Sequence, residues 1–283
     1  MSQSHSRRLC PYCRALNSRD QQRCVRCERR LPGPLLTPLV EALAAMGATG
    51  APVTVLFLVI NLAVFAAMHT APEQVSRLVR GASAFRLGEF GAVVSPYTDS
   101  EWWRLVSASF VHIGLLHLAM NMVALVHFGR AAERLIGSGS YALTYVVTGI
   151  VGMLISIKVS DEPLATAGAS AALFGVIGLL LGWMLERRDE RWKNFVIQAV
   201  VYGLAFGYLG GANNVAHLGG LGAGVVAGFV FARERRPYRR QRMAAAAGIL
   251  SVLVVVYSLV MARVSPVSKV LGEWERQRIE MGE

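Results

Sequence analysis

Residues 168–185 read GASAALFGVIGLLLGWML, eighteen residues with one serine and no charge. As an α-helix such a run rises about 27 Å, close to the ~30 Å of bilayer hydrocarbon. Its small residues are ordered. Ala171, Gly175, Gly178 and Gly182 fall on one narrow helical face. A second run, AHLGGLGAG at residues 216–224, opens another apolar stretch. There Gly220, Gly224 and Gly228 form a similar stripe, within about 60° of His217. Between helices in lipid there is no hydrophobic driving force, and small residues are what let backbones approach closely. The two stripes therefore predict that these helices pack on each other. Ser170 and His217, near the two helix starts, would then meet.

Outward from this pair the chain keeps the same character. It has 283 residues, of which 54% are hydrophobic and only 17% charged, with a mean hydropathy of +0.43. A soluble domain of this size is not normally so apolar. Apolar runs at about 52–69, 106–128, 140–158, 168–185, 194–210, 214–232 and 243–263 predict seven membrane-spanning helices, an all-α polytopic fold. The net charge of +11 does not point to nucleic acid, because most arginines flank the apolar runs, as the positive-inside rule requires. Eight arginines precede residue 50, and further clusters lie at Arg130 and Arg134, at 187–193 and at 233–242. This bias places the N-terminus in the cytoplasm and the C-terminus outside. No cleavable leader is expected, since the first fifty residues are polar and basic.

All four cysteines lie in that N-terminal stretch, as CPYC (Cys10, Cys13) and CVRC (Cys24, Cys27). Two CxxC pairs with a short spacer fit a structural zinc site of four thiolates, and a reducing cytosol favours metal over disulfides. The glycine usual after each pair is replaced by Arg14 and Glu28. Residues 1–31 therefore read as a small zinc-ribbon-like module. The proline-rich stretch in 32–51 reads as a linker, 52–232 as the helical core, and 233–283 as a basic loop, a seventh helix and a tail. The arginines of the module suit anionic lipid headgroups or an acidic cytosolic partner.

Polar groups within spanning segments are costly and by default functional. HIGLLHLAMN, residues 112–121, sets His117 and Asn121 four apart on one face, with His112 well off it. His217 is the titratable residue of its run. Taken singly, Ser170 is packing glue, His217 a hydrogen-bonded core histidine, and His117 with Asn121 a packing pair or half a metal site. Together they lie at similar depth, toward the outer ends of their helices. A serine hydroxyl becomes a nucleophile when a base accepts its proton, and neutral histidine is that base near pH 7. His117, Asn121 and the first-turn backbone N–H of Ser170 could donate to an oxyanion. Asp99, Asp161 and Asp189 all fall in loops, so a dyad is expected.

At these residues the chain resembles the rhomboid family of intramembrane serine proteases. The resemblance rests on EWWRLVSASFVH (101–112), HIGLLHLAMN (112–121), ERLIGS (133–138), GASAALFG (168–175) and AHLGGLGAG (216–224), which stand in the family's order. It implies a six-helix core, here with a seventh helix added, and cleavage of transmembrane segments of other proteins in the cell membrane without a catalytic cofactor. It implies that Ser170 is the nucleophile, His217 its base, and His117 and Asn121 the oxyanion hole. It makes Trp103 and Arg104 part of an amphipathic first loop, and Glu133 structural. Two positions depart from the family. Ala171 stands where glycine is frequent, so its methyl is expected beside the oxyanion site. Phe174 stands where tyrosine is frequent, keeping the ring without the hydroxyl. The competing expectations are an inactive rhomboid-like protein that binds transmembrane clients, and a transporter or channel.

Overall fold

A computed structural model describes residues 7–10, 15–18, 21–28, 31, 50–70, 81–95, 97–98, 100–159, 165–210, 213–234 and 237–281. The chain forms two units, Met1–Pro52 and Val53–Glu283. In the first, β1 (Arg7–Leu9) pairs antiparallel with β2 (Leu16–Ser18), and Cys10, Cys24 and Leu31 make a small buried cluster. Most of the expected linker, 32–49, lies outside the described residues.

The second unit is mostly helical. Its elements run α1 (Pro52–Met68), α2 (Ala84–Glu89), β3 (Val93–Val94) and α3 (Arg104–Ser107), which passes into a 3₁₀ turn at Ala108–Phe110. Then follow α4 (Leu115–Ile136), α5 (Ser138–Val159), β4 (Ala165–Thr166), α6 (Ser170–Glu186), α7 (Trp192–Gly210), α8 (Asn214–Arg233), α9 (Pro237–Val264) and α10 (Pro266–Glu280). α4, α5, α8 and residues 244–264 of α9 are long and apolar enough to cross a membrane, and α1 and α6 are shorter apolar helices.

Three stretches depart from the sequence expectation. The second span does not begin at 106. Residues 104–110 form short helical turns, Val111 is extended, and the spanning helix starts at Leu115 behind Gly114, whose backbone is extended. Val106, Ala108, Phe110 and Val111 are buried inside the protein, and hydropathy cannot distinguish burial in protein from burial in lipid. The same helix runs on to Ile136 through a π-turn at Leu125–Gly129. Finally, Pro237 to Arg242 belong to α9 rather than to a basic loop, and the tail beyond it is the helix α10.

The start of α1 shows how a polar residue is used in so apolar a chain. The Glu133 carboxylate, 2% exposed, accepts the Val53 N–H (2.9 Å), the Thr54 N–H (2.8 Å) and the Thr54 hydroxyl (2.7 Å). It also accepts the Ser138 hydroxyl at 2.7 Å. An anion here satisfies otherwise orphaned first-turn N–H groups and complements the helix dipole.

Among the described residues, the closest helix pair is α6 with α8, which run parallel. A Cβ on Gly220 would overlap the Ala171 carbonyl oxygen, one on Gly224 the Gly175 oxygen, and one on Gly228 the Leu179 oxygen. Reciprocally, Gly178 abuts the Leu221 carbonyl and Gly182 that of Val225. Each contact recurs every four residues, the i±4 ridge spacing. α9 is fastened in the same way, with its Gly248 against the Gly139 backbone of α5.

Gly224→Val should lower the melting midpoint markedly, because overpacking against a backbone carbonyl typically costs about 1–3 kcal/mol or more. Gly222→Val, at a position with nothing within 4 Å, should leave it nearly unchanged. Thermal unfolding of the two variants in one detergent checks this, and equal losses would contradict the packing described.

Candidate active site

The α6–α8 contact sets the register of the two helix starts. Ser170 opens α6 and His217 lies in the first turn of α8. Ser170 Oγ and His217 Nε2 are 2.8 Å apart, with the residues 8% and 5% exposed. Phe174, one turn after the serine, stacks on the imidazole, ring centroids 4.3 Å apart and planes 15° from parallel. The ring is thus held from two sides, with one nitrogen aimed at the hydroxyl.

Asn213 caps α8. Its side-chain oxygen accepts the Ala216 N–H at 3.1 Å, and its amide nitrogen donates to the Thr166 hydroxyl at 3.2 Å and to Ser156. One residue therefore ties the start of the histidine helix to the strand that leads into the serine helix. Sequence reading passed over Asn213. Its signal was an asparagine four residues before the histidine, at a helix start.

The segment before Ser170 is fixed as well. β4 pairs antiparallel with β3, Val93 opposite Thr166. Gly168 has φ +122° and donates its N–H to the Ala108 carbonyl at 2.9 Å. A Cβ there would lie 2.6 Å from His117 Cε1. Glycine is needed twice, for the left-handed backbone and for the imidazole beside it. This is how His117, one of the expected oxyanion residues, reaches the turn that leads into the serine.

Asn121 is fully buried, and its amide nitrogen donates to the His117 carbonyl at 2.8 Å. That bond uses one of the two N–H groups and fixes the side chain. Beyond His117, the buried His112 ring lies with its centroid 5.3 Å away. In α6 itself the first-turn N–H groups have no carbonyl one turn back within the helix. Asp189 sits in the turn after α6, at the end opposite Ser170. Asp99 and Asp161 lie outside the described residues.

Ala171, next to the serine, is packed inside the protein. Its side chain, 1% exposed, packs with Val93, Ala108, Met153 and Ala216 in a separate apolar cluster, over Gly152 of α5. A Cβ on Gly152 would be 3.1 Å from the Ala171 methyl and would also crowd the Ala216 carbonyl. The missing methyl at 152 makes room for the one at 171.

Comparison with known proteins identifies the framework. A rhomboid-domain family model matches residues 99–234. The chain is 30% identical over 144 residues to YdcA of Bacillus subtilis (strain 168), named for the rhomboid proteases, and covers 72% of that protein and 49% of this one. The chain belongs to the rhomboid family. It is also similar to the rhomboid protease GluP of Bacillus subtilis, 39% identical over 133 residues, covering 46% of this chain and 26% of that protein. To the RHOMBOID-like protein 1 of Arabidopsis thaliana it is 34% identical over 170 residues, covering 57% and 43%. The chain spans between 26% and 45% of the length of the first three relatives it matches. Family and helices together make this rhomboid an integral, multi-pass membrane protein.

The matched segment does not include the cysteines. In the N-terminal unit the sulfurs of Cys10, Cys24 and Cys27 lie within 4.8 Å of one another, with Cys10 and Cys27 3.7 Å apart. Ligands 2.3 Å from a tetrahedral zinc would be separated by about 3.8 Å, whereas a disulfide is about 2.05 Å long. The Arg26 N–H points at the Cys24 sulfur at 3.4 Å. Glu28, where a glycine was expected, takes φ +58°. The position thus keeps the left-handed turn at the cost of strain for a non-glycine residue. The fourth expected ligand, Cys13, lies outside the described residues.

Ala171→Gly should leave turnover per folded molecule unchanged. It should lower thermal stability by about 1 kcal/mol, through helix propensity and a lost buried methyl. Kinetics and melting of the same preparation check it, and a rise in turnover would mean that the methyl crowds the catalytic site after all.

Proposed function

We propose that this rhomboid is an intramembrane serine endopeptidase that cleaves transmembrane segments of other membrane proteins. The observation that carries the reading is the 2.8 Å contact between Ser170 Oγ and His217 Nε2 at the joined starts of two glycine-packed helices. Neutral His217 accepts the Ser170 proton as Oγ attacks the scissile carbonyl carbon. The negative charge moves to the carbonyl oxygen, where the first-turn N–H of Ser170 and the side chains of His117 and Asn121 donate. The carbon–nitrogen bond then breaks, and the imidazolium returns its proton to the leaving amine. Water repeats the sequence on the acyl-enzyme, with His217 taking its proton and Ser170 regaining its own. No cofactor enters this chemistry. The presence of both Ser170 and His217, in contact at 2.8 Å, supports an active enzyme over an inactive client-binding relative.

Ser170→Ala and His217→Ala should each abolish cleavage of a model transmembrane substrate while the protein stays folded, since members of one catalytic unit cannot substitute for each other. Cleavage by purified, folded Ser170→Ala protein would remove the serine mechanism.

The arginine distribution supports a cytoplasmic N-terminus and an extracytoplasmic C-terminus, and the membrane we assign is the cell membrane. We assign the N-terminal cysteines to one structural zinc, with Cys10, Cys13, Cys24 and Cys27 as thiolate ligands. Bound metal would fold a segment too short to bury a core of its own. The eight arginines before residue 50 suit anionic headgroups or an acidic cytosolic partner. Metal analysis should find about one zinc per chain, lost in a Cys10/Cys13 double substitution. Deletion of residues 1–31 should leave cleavage in detergent largely intact. Absence of zinc would overturn the assignment, and loss of all activity in the folded deletion protein would make the module part of the catalytic unit.

A further inference from the structure

The tail that sequence reading left unassigned is a helix, and its buried face is locked to the loop that leads to the active site. α10 begins with Ser265, whose hydroxyl accepts the Ser268 N–H, and has Pro266 in its first turn. Its buried residues are Ser268, Leu271, Gly272 and Glu275. Leu271 is 1% exposed, and its methyl fills the space that a Cβ on Gly88 of α2 would take. Trp274 meets Phe85 and Tyr97 edge-on, with centroids 5.6 and 5.5 Å away. Gly272 lies against the Glu89 carboxyl group.

Polar contacts fasten the same face. Arg104, whose guanidinium is buried, donates to Ser268 Oγ at 2.8 Å, to the Gly88 and Ala92 carbonyls at 2.6 and 3.0 Å, and to Glu101 at 2.6 Å. Its guanidinium also lies 4.4 Å over the Trp103 ring. Glu101 accepts the Ser265 hydroxyl with its second oxygen, and Glu275 accepts the Ser83 hydroxyl. Ser268 is an acceptor to a buried cation that no loop residue replaces among the described contacts of that nitrogen.

From Arg104 the path to the nucleophile is short and continuous. α3 leads directly to Ala108, whose carbonyl holds the Gly168 N–H. Ala92, held by Arg104, adjoins β3, which pairs with β4. Both routes end in the short segment preceding Ser170. Loop position is therefore set jointly by the core and by α10.

We infer that α10 is a positioning element of the active site, with Ser268 and Glu275 acting through Arg104 and the loop. The inference rests on the protease reading. A rate that depends on the placement of Ser170 and its neighbouring donors responds steeply to small displacements, roughly a hundredfold for about 1 Å. Releasing the clamp should thus lower turnover without removing any catalytic group.

The test uses the full chain in detergent, as wild type, Ser268→Ala, Glu275→Ala and Ser268→Thr, with a chain ending at Val264 as the extreme case. Cleavage kinetics on a model transmembrane substrate are read beside amide hydrogen exchange over residues 84–110. Ser268→Ala and Glu275→Ala should lower kcat roughly ten- to a hundredfold, with KM changed less than about threefold. They should speed exchange in that segment at least about tenfold, leaving α5, α6 and α8 protected. Ser268→Thr, which keeps the hydroxyl, should restore both. Unchanged or raised kcat in the point variants overturns the inference, as does a lower kcat with unchanged exchange. An inactive wild type removes the protease reading, and this inference with it.

Discussion

The structure depends on the backbone contact between α6 and α8. Along it carbonyl oxygens of one helix lie where the other would otherwise carry side chains, at Ala171 with Gly220, Gly175 with Gly224 and Leu179 with Gly228. Apolar helices in lipid have no solvent-driven reason to choose one register over the next. A row of glycines supplies it, because a sliding shift would drive a Cβ into a carbonyl. Close approach also puts Cα hydrogens beside carbonyl oxygens, a weak but repeated attraction. The parallel direction of the two helices brings both N-terminal turns to the same end. There the register is expressed as one hydrogen bond, between Ser170 and His217.

Polar residues elsewhere serve that geometry by ending or joining elements. Glu133 satisfies the first turn of α1, Asn213 that of α8, and Arg104 gathers the loop carbonyls of Gly88 and Ala92. Each sits where backbone groups lose their helical partners, the places where an apolar chain most needs polar side chains.

Much of this was legible in the sequence. The small residues recur at helical spacing, so the packed faces of α6 and α8, and hence the meeting of Ser170 with His217, follow from counting positions. The aromatic ring of Phe174 one turn after the serine was legible through the family resemblance. Other features were hidden for physical reasons. The helix break between Phe110 and Leu115 is invisible to hydropathy, because Phe110 and Val111 are buried in protein rather than lipid. The room for the Ala171 methyl depends on Gly152, a residue on another helix. Arg104 finds a partner 164 residues away at Ser268, beyond any local pattern. The helix that carries Ser268 did have a local signal, a serine cap followed by proline and by Val267, Val270, Leu271 and Trp274 on one side. Hydropathy alone leaves it as a tail after the last apolar run.

The central claim is that His217 makes Ser170 a nucleophile within this packed pair. It is tested most directly by treating the purified protein with a fluorophosphonate and mapping the adduct by mass spectrometry. The account predicts a single adduct, on Ser170, absent when His217 is replaced by alanine in a protein that remains folded. No adduct on Ser170, or an equal yield of it without His217, would contradict it.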